Sequence, residues 1–145
     1  MAASLWQVYN SAKRNLLNGT FDLDTNVLRL KLANGTGAAN VSNYARSTFA
    51  SISASVANMT HKTLAALSVT VGASAKVARF DVGDVVLTAG GAVTSVQYAI
   101  IGVSAGKALC WCKLSTAAFS VSSGNTLTIT INASGVFELT GGTTA

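Results

Sequence analysis

Along the chain the apolar residues keep two different periods, and the change between them falls at Gly19. From Leu5 to Leu17, the residues Leu5, Tyr9, Ala12 and Leu16 recur at helical spacing, with Trp6 and Leu17 widening the stripe. The pattern predicts an amphipathic helix over residues 4–18. Ser4 would cap its start, Lys13 and Arg14 would lie in the C-terminal half where the helix dipole favours cations, and Asn18-Gly19 would supply the left-handed stop. After Gly19 the period becomes two. In VLRLKLA, Leu28, Leu30 and Leu32 face one side while Arg29 and Lys31 face the other, which is the pattern of a half-buried strand.

Residues 34–40, NGTGAAN, form a loop by composition, because Gly and Asn tolerate positive φ and no apolar side chain anchors them. From Val41 to Lys62 small residues fit neither period, and a short helix or an irregular strand near Tyr44 to Ile52 are both open. From Leu64 onward β-type runs follow at short intervals: LAALSVTV, KVARFDV, DVVLT, SVQYAIIGV, ALCWCKL, FSV, TLTITIN and GVFEL. The segments between them carry turn chemistry, such as Gly90-Gly91 and Ser123-Gly124-Asn125. Leu127, Ile129 and Ile131 alternate with Thr126, Thr128 and Thr130, whereas VQYAIIGV is apolar throughout and predicts a central strand covered on both faces.

Short strands joined by glycine-rich turns predict a mainly β fold, an antiparallel β-sandwich or barrel of about seven to eight strands with one N-terminal α-helix. A chain of 145 residues, 14.7 kDa, is read as a single domain 1–145, with the helix at 4–18, the sandwich at 22–140 and a flexible tail at 141–145.

Composition changes the picture at the surface. Only 10% of residues are charged, against roughly 25% in an average soluble domain, so the exterior must be largely neutral Ser, Thr, Asn, Gly and Ala. Such a surface suits burial against neighbouring subunits, because interface cores are depleted in charge. The net charge is +5, but the basic residues stand singly or in pairs, such as Lys13-Arg14, and never form the run of a nucleic-acid-binding tail. No secretory signal opens the chain and no window approaches the ~20 apolar residues that span a bilayer. The expectation is a protein made in the cytoplasm, with no membrane and no specific nucleic acid among its partners. Proline is absent altogether.

Candidate chemistry is sparse. Cys110 and Cys112 lie two apart in a strand and so share a face at ~6.5–7 Å, too far for a disulfide. With His61 they make three of the four ligands a structural zinc requires, so buried free thiols beside Trp111 are expected. His61 has no nucleophile or carboxylate close by in sequence. Asp81 and Asp84 flank Gly83 and read as a turn rather than a calcium site, which takes about six to eight oxygens. Gly35-Thr36-Gly37 lacks the third glycine of a dinucleotide fingerprint. The sequons at Asn18, Asn34, Asn40, Asn58 and Asn132 reflect a chain rich in Asn, Ser and Thr. The aromatic residues are scattered over many elements instead of gathering with Lys and Arg, as a single-strand nucleic-acid platform requires. No catalytic residue, cofactor site or metal site is expected.

Three segments in order carry a resemblance: SLWQVYNSAKRNLLNGTFDLDTNVLRLKL, VARFDVGDVVLTAGGAVTSVQYAIIGV and FSVSSGNTLTITINASGVFEL. Together they resemble a broad family of tailed-bacteriophage virion structural proteins. The matching features are Gly19-Thr20 closing the helix, Asp22 and Asp24 before the first strand, Phe80 to Val85, Tyr98-Ala99, and Asn132 to Val136 ahead of Phe137-Glu138-Leu139. The segment from Val41 to Lys62 departs most, and Cys112 stands where the family usually has an acidic residue. The resemblance implies a capsid cement or decoration protein on the virion exterior, non-enzymatic, bound to the major capsid protein and self-associating as a dimer or trimer. The nearest variant is a tail component, or a tail-tip module that binds a host glycan through a groove with exposed aromatics. The protein-interface residues expected are Trp6, Tyr9, Lys13 and Arg14 on the helix and Arg29 and Lys31 on the first strand.

Overall fold

The computed structural model describes residues 4–35, 41–45, 48–50, 52, 56–59, 61–71, 77–103 and 106–140. The fold is mainly β and antiparallel throughout, with one helix among the described residues. In chain order its elements are β1 (Gln7–Val8), α1 (Asn10–Leu17), β2 (Leu28–Asn34), β3 (Lys62–Thr63), β4 (Ser68–Val71) and β5 (Val77–Asp81). There follow β6 (Val85–Thr88), β7 (Val93–Val103), β8 (Ala108–Lys113), β9 (Phe119–Val121), β10 (Thr126–Ile129) and β11 (Phe137–Thr140). Eleven strands among the described residues exceed the seven to eight expected from sequence; two of the additional ones, β1 and β3, are two-residue strands too short to show a period.

The largest sheet runs β1-β8-β7-β2-β3, with β9 also on β7. Val96 of β7 pairs with Asn34 on one side and Phe119 on the other, so β8 and β9 follow one another along the same edge of the long strand. β7 is central and covered on both faces, as its uniform hydrophobicity predicts: Tyr98, Ala99, Ile100 and Ile101 are all buried. One face of the sheet carries Leu28, Leu30 and Leu32 of β2, Ala99 and Ile101 of β7, and Cys110 and Cys112 of β8, in register. A two-stranded sheet β10-β6 and a three-stranded sheet β11-β5-β4 give their apolar sides to the same core, through Val85, Leu87, Ile129 and Phe80.

The helix starts later than its apolar spacing predicts, at Asn10. Residues 7 and 8 instead form an edge strand opposite Trp111 and Cys110 of β8, and Tyr9 is extended at φ −63°, ψ 146°. Pairing with the edge of β8 satisfies backbone groups that a first helical turn leaves without intrahelical partners. Ser4 does not cap the helix. Its N–H donates to the Lys113 carbonyl and its hydroxyl accepts from the Lys113 N–H, both at 2.8 Å, which fastens the chain start to β8. The other end is as expected: the Asn18 N–H closes on Arg14, and Gly19 follows at φ +71°.

The face of β2 that bears Lys31 is not solvated. Phe49 and Ile52 lie over it, both buried, with their carbonyls meeting the Lys31 ammonium. Phe49 seats against Gly102, where an added Cβ would meet the ring at 2.6 Å and the Lys107 carbonyl at 2.8 Å. Gly102 stands at a register shift between β7 and β8, so the missing side chain makes room for both the bulge and the ring. The second half of the dinucleotide-like stretch, the loop residues 36–40 and the tail 141–145 lie outside the described residues.

Candidate functional site

Beside the short edge strand β1 runs a groove of about 730 Å³. One wall is Ser4, Leu5, Trp6 and Val8 with Lys13 of α1; the other is the chain from Thr130 to Glu138 leading into β11. Trp6 and Phe137 are half-buried, giving the groove an aromatic surface on each wall, and Lys13 and Glu138 line it with opposite charges. Phe137 and Glu138 are consecutive in a strand and point to opposite faces of their sheet, so a groove that both line runs along the free edge of β11. Glu138 is already engaged, accepting from Arg79 at 2.8 Å.

Of the six interface residues expected from sequence, Trp6 and Lys13 come together in this groove. Arg14 is exposed on the last turn of α1, and Arg29 is half-buried on β2. Tyr9 and Lys31 are corrected. Tyr9 is fully buried and its hydroxyl donates to the Val41 carbonyl at 2.8 Å, because the extended residue at the strand-to-helix junction turns inward. Lys31 is 7% exposed and its ammonium donates to the carbonyls of Phe49 and Ile52 while lying 4.5 Å from the centre of the Phe49 ring. An irregular covering segment leaves carbonyls without strand partners, and a long cationic side chain rising from the sheet meets them. Burial pushes the Lys31 pKa below its ordinary value.

The remaining polar residues hold turns. The Asp22 carboxylate accepts from the N–H groups of Asp24 and Thr25; the Thr25 side chain above all, and these backbone bonds with it, hold its pKa below the usual carboxylate range. Asp81 accepts from the Val82 N–H at 2.8 Å, at the end of β5, and Asp84 from the Ile131 N–H at 2.9 Å, which ties the β5–β6 turn to the chain after β10. His61 is exposed. Among the described residues no three of His, Cys, Asp and Glu gather as a metal site would require.

No protein-family model, curated protein or solved structure matches this chain.

Cys110 and Cys112 are buried free thiols, as their spacing predicts. Desolvation raises both pKa values, Cys112 to about 12 and Cys110 well above the ordinary thiol, with the neighbouring Cys112 adding to the latter. A thiol-reactive reagent is therefore expected to label neither cysteine in the native protein and both after unfolding. Because the folded thiols hold their protons where unfolded ones ionise, their contribution to stability is complete below pH 9.0 and is lost as the pH climbs toward about 12. Chemical denaturation across that range should show the wild type losing stability relative to the Cys110→Ala, Cys112→Ala double variant. Rapid native labelling would contradict the buried placement.

Proposed function

We propose that this chain is a non-enzymatic structural protein of a tailed-phage particle, most simply a cement protein that stabilises the capsid lattice by packing on the major capsid protein and on sister copies. The observation that carries the reading is the surface. It has little charge and leaves large apolar side chains outside, Leu5 at 78%, Leu17 at 89% and Val71 at 77% exposure. A surface this poor in charge suits packing against neighbours, because interface cores are depleted in charged side chains. Burial repeated over many copies contributes stability at roughly 25 cal/mol per Å² of apolar area, while scattered cations such as Arg14 steer docking onto acidic patches. The non-enzymatic part is supported by the carboxylates: Asp22, Asp81, Asp84 and Glu138 each hold a turn or an ion pair instead of facing one another across a cleft. No helix among the described residues is long and apolar enough to cross a membrane.

The groove favours a second reading, a tail component or tail-tip module that binds a host glycan. Trp6 and Phe137 would stack on sugar faces there, with Asn132 and Ser134 on the wall as hydrogen-bonding groups. The two readings separate by location on the particle. Antibody labelling of purified particles in the electron microscope is expected to decorate the head; labelling confined to the tail tip would favour the second reading, and protein left wholly in the particle-free fraction would defeat both.

A further inference from the structure

The three-stranded sheet β11-β5-β4 has an apolar face that continues past the core. Register places Val69, Phe80 and Phe137 in one cross-strand row and Val71, Ala78 and Leu139 in the next. In the first row Phe80 is buried and packs on Phe137 with ring centroids 5.4 Å apart. In the second, Val71 is 77% exposed and Leu139 50%, and Val69 is 51% exposed beside them. Among the described residues β4 is also an outer strand of its sheet, with β5 on one side only. Proteins blunt such edges with lysine, proline or a bulge. β4 is Ser-Val-Thr-Val, uncharged, in a chain without proline, and its pairing with β5 runs from Ser68 to Val71 with no shift of register.

We infer that this edge pairs with β4 of a second copy of the chain, antiparallel about a two-fold axis at Thr70, joining two three-stranded sheets into one. The edge is complementary to itself. With Thr70 opposite Thr70 of the second copy, Val69 of each copy faces Val71 of the other, so β-branched residues meet on one side of the sheet and threonines on the other. Both are favourable cross-strand pairs. An axis normal to the sheet keeps the Phe80 faces of both copies on the same side and brings the core of each copy beside the Val71–Leu139 overhang of the other. Charge permits the approach. On a chain of net charge +5, these three strands carry only Arg79, Asp81 and Glu138, and Arg79 is paired with Glu138. Like copies meet here without the repulsion they experience elsewhere.

This names the surface for the self-association within the function proposed above and rests on that part of it alone. Sedimentation velocity of the purified full chain over a dilution series is the test. The wild type is expected to dimerise. Thr70→Lys, at an exposed position, sets two ammonium groups opposite each other on the axis and should run as a monomer with an unchanged circular dichroism spectrum and unfolding midpoint. Thr70→Cys should give a covalent dimer on mild oxidation, since directly opposed residues lie ~4.5–5.5 Å apart at Cα, within disulfide reach. A monomeric wild type, or a dimer or trimer that Thr70→Lys leaves intact, overturns the inference. Particle association is scored separately by the labelling described above, so failure of the edge and failure of the virion reading give different results.

Discussion

Replacing Gly102 by alanine is expected to destabilise the protein by about 2–3 kcal/mol, lowering the unfolding midpoint by roughly 5–10 °C. The added Cβ would stand 2.6 Å from the Phe49 ring and 2.8 Å from the Lys107 carbonyl. The ring could move, but only by leaving its seat beside Lys31; the carbonyl belongs to the β7–β8 turn, where the Val103 N–H holds it at 2.9 Å. Relief at one contact therefore disturbs another. Thermal unfolding of Gly102→Ala beside a surface control such as Thr88→Ala, on the exposed side of β6, checks the account. Equal midpoints would mean that the covering segment is not seated on the sheet as described.

Lys31 fastens the same segment from the other side, and Lys31→Ala is expected to cost about 3–4 kcal/mol, through lost packing of its stem and two carbonyls left without a donor. Lys31→Met separates the two effects. It keeps most of the stem and removes the charge, so desolvation of the ammonium is relieved while the Phe49 and Ile52 carbonyls lose their donor. Hydrogen bonds to charged groups contribute roughly 1.5–3 kcal/mol each, so the methionine variant should still be less stable than wild type, by less than the alanine variant. A methionine variant more stable than wild type would show that burying the cation costs more than its two bonds return. Denaturant titrations of the three proteins decide it.

These two positions also mark where the sequence stopped being informative. Alternation and glycine turns place β2 and β4 through β11 close to where they lie, because those signals are local: Leu127 and Ile129 turn inward against exposed Thr126 and Thr128 as their order dictates. The direction of Lys31 depends on a cover that has no period of its own. Phe49 and Ile52 are only three residues apart in a run of small side chains, and nothing local says that they close over β2. The N-terminal stripe misled for a related reason. Leu5, Tyr9, Ala12 and Leu16 fit a helix by spacing, but Gln7 and Val8 are captured by Trp111 and Cys110, more than a hundred residues away in sequence. Long-range pairing of this kind overrides local preference. The candidate site was legible to the same extent. Trp6 and Lys13 reach the groove, while its opposite wall, from Asn132 to Glu138, shows in the sequence only the β-type run GVFEL and nothing that marks a site.

The claim that this is a repeated structural component of a particle is tested most directly by counting it. Quantitative mass spectrometry of purified particles, with isotope-labelled peptides from this chain and from the major capsid protein, gives the copy ratio. A cement protein predicts a ratio near one, or a simple fraction of one fixed by the lattice points occupied. A handful of copies per particle would contradict it and place the protein at the tail or a single vertex.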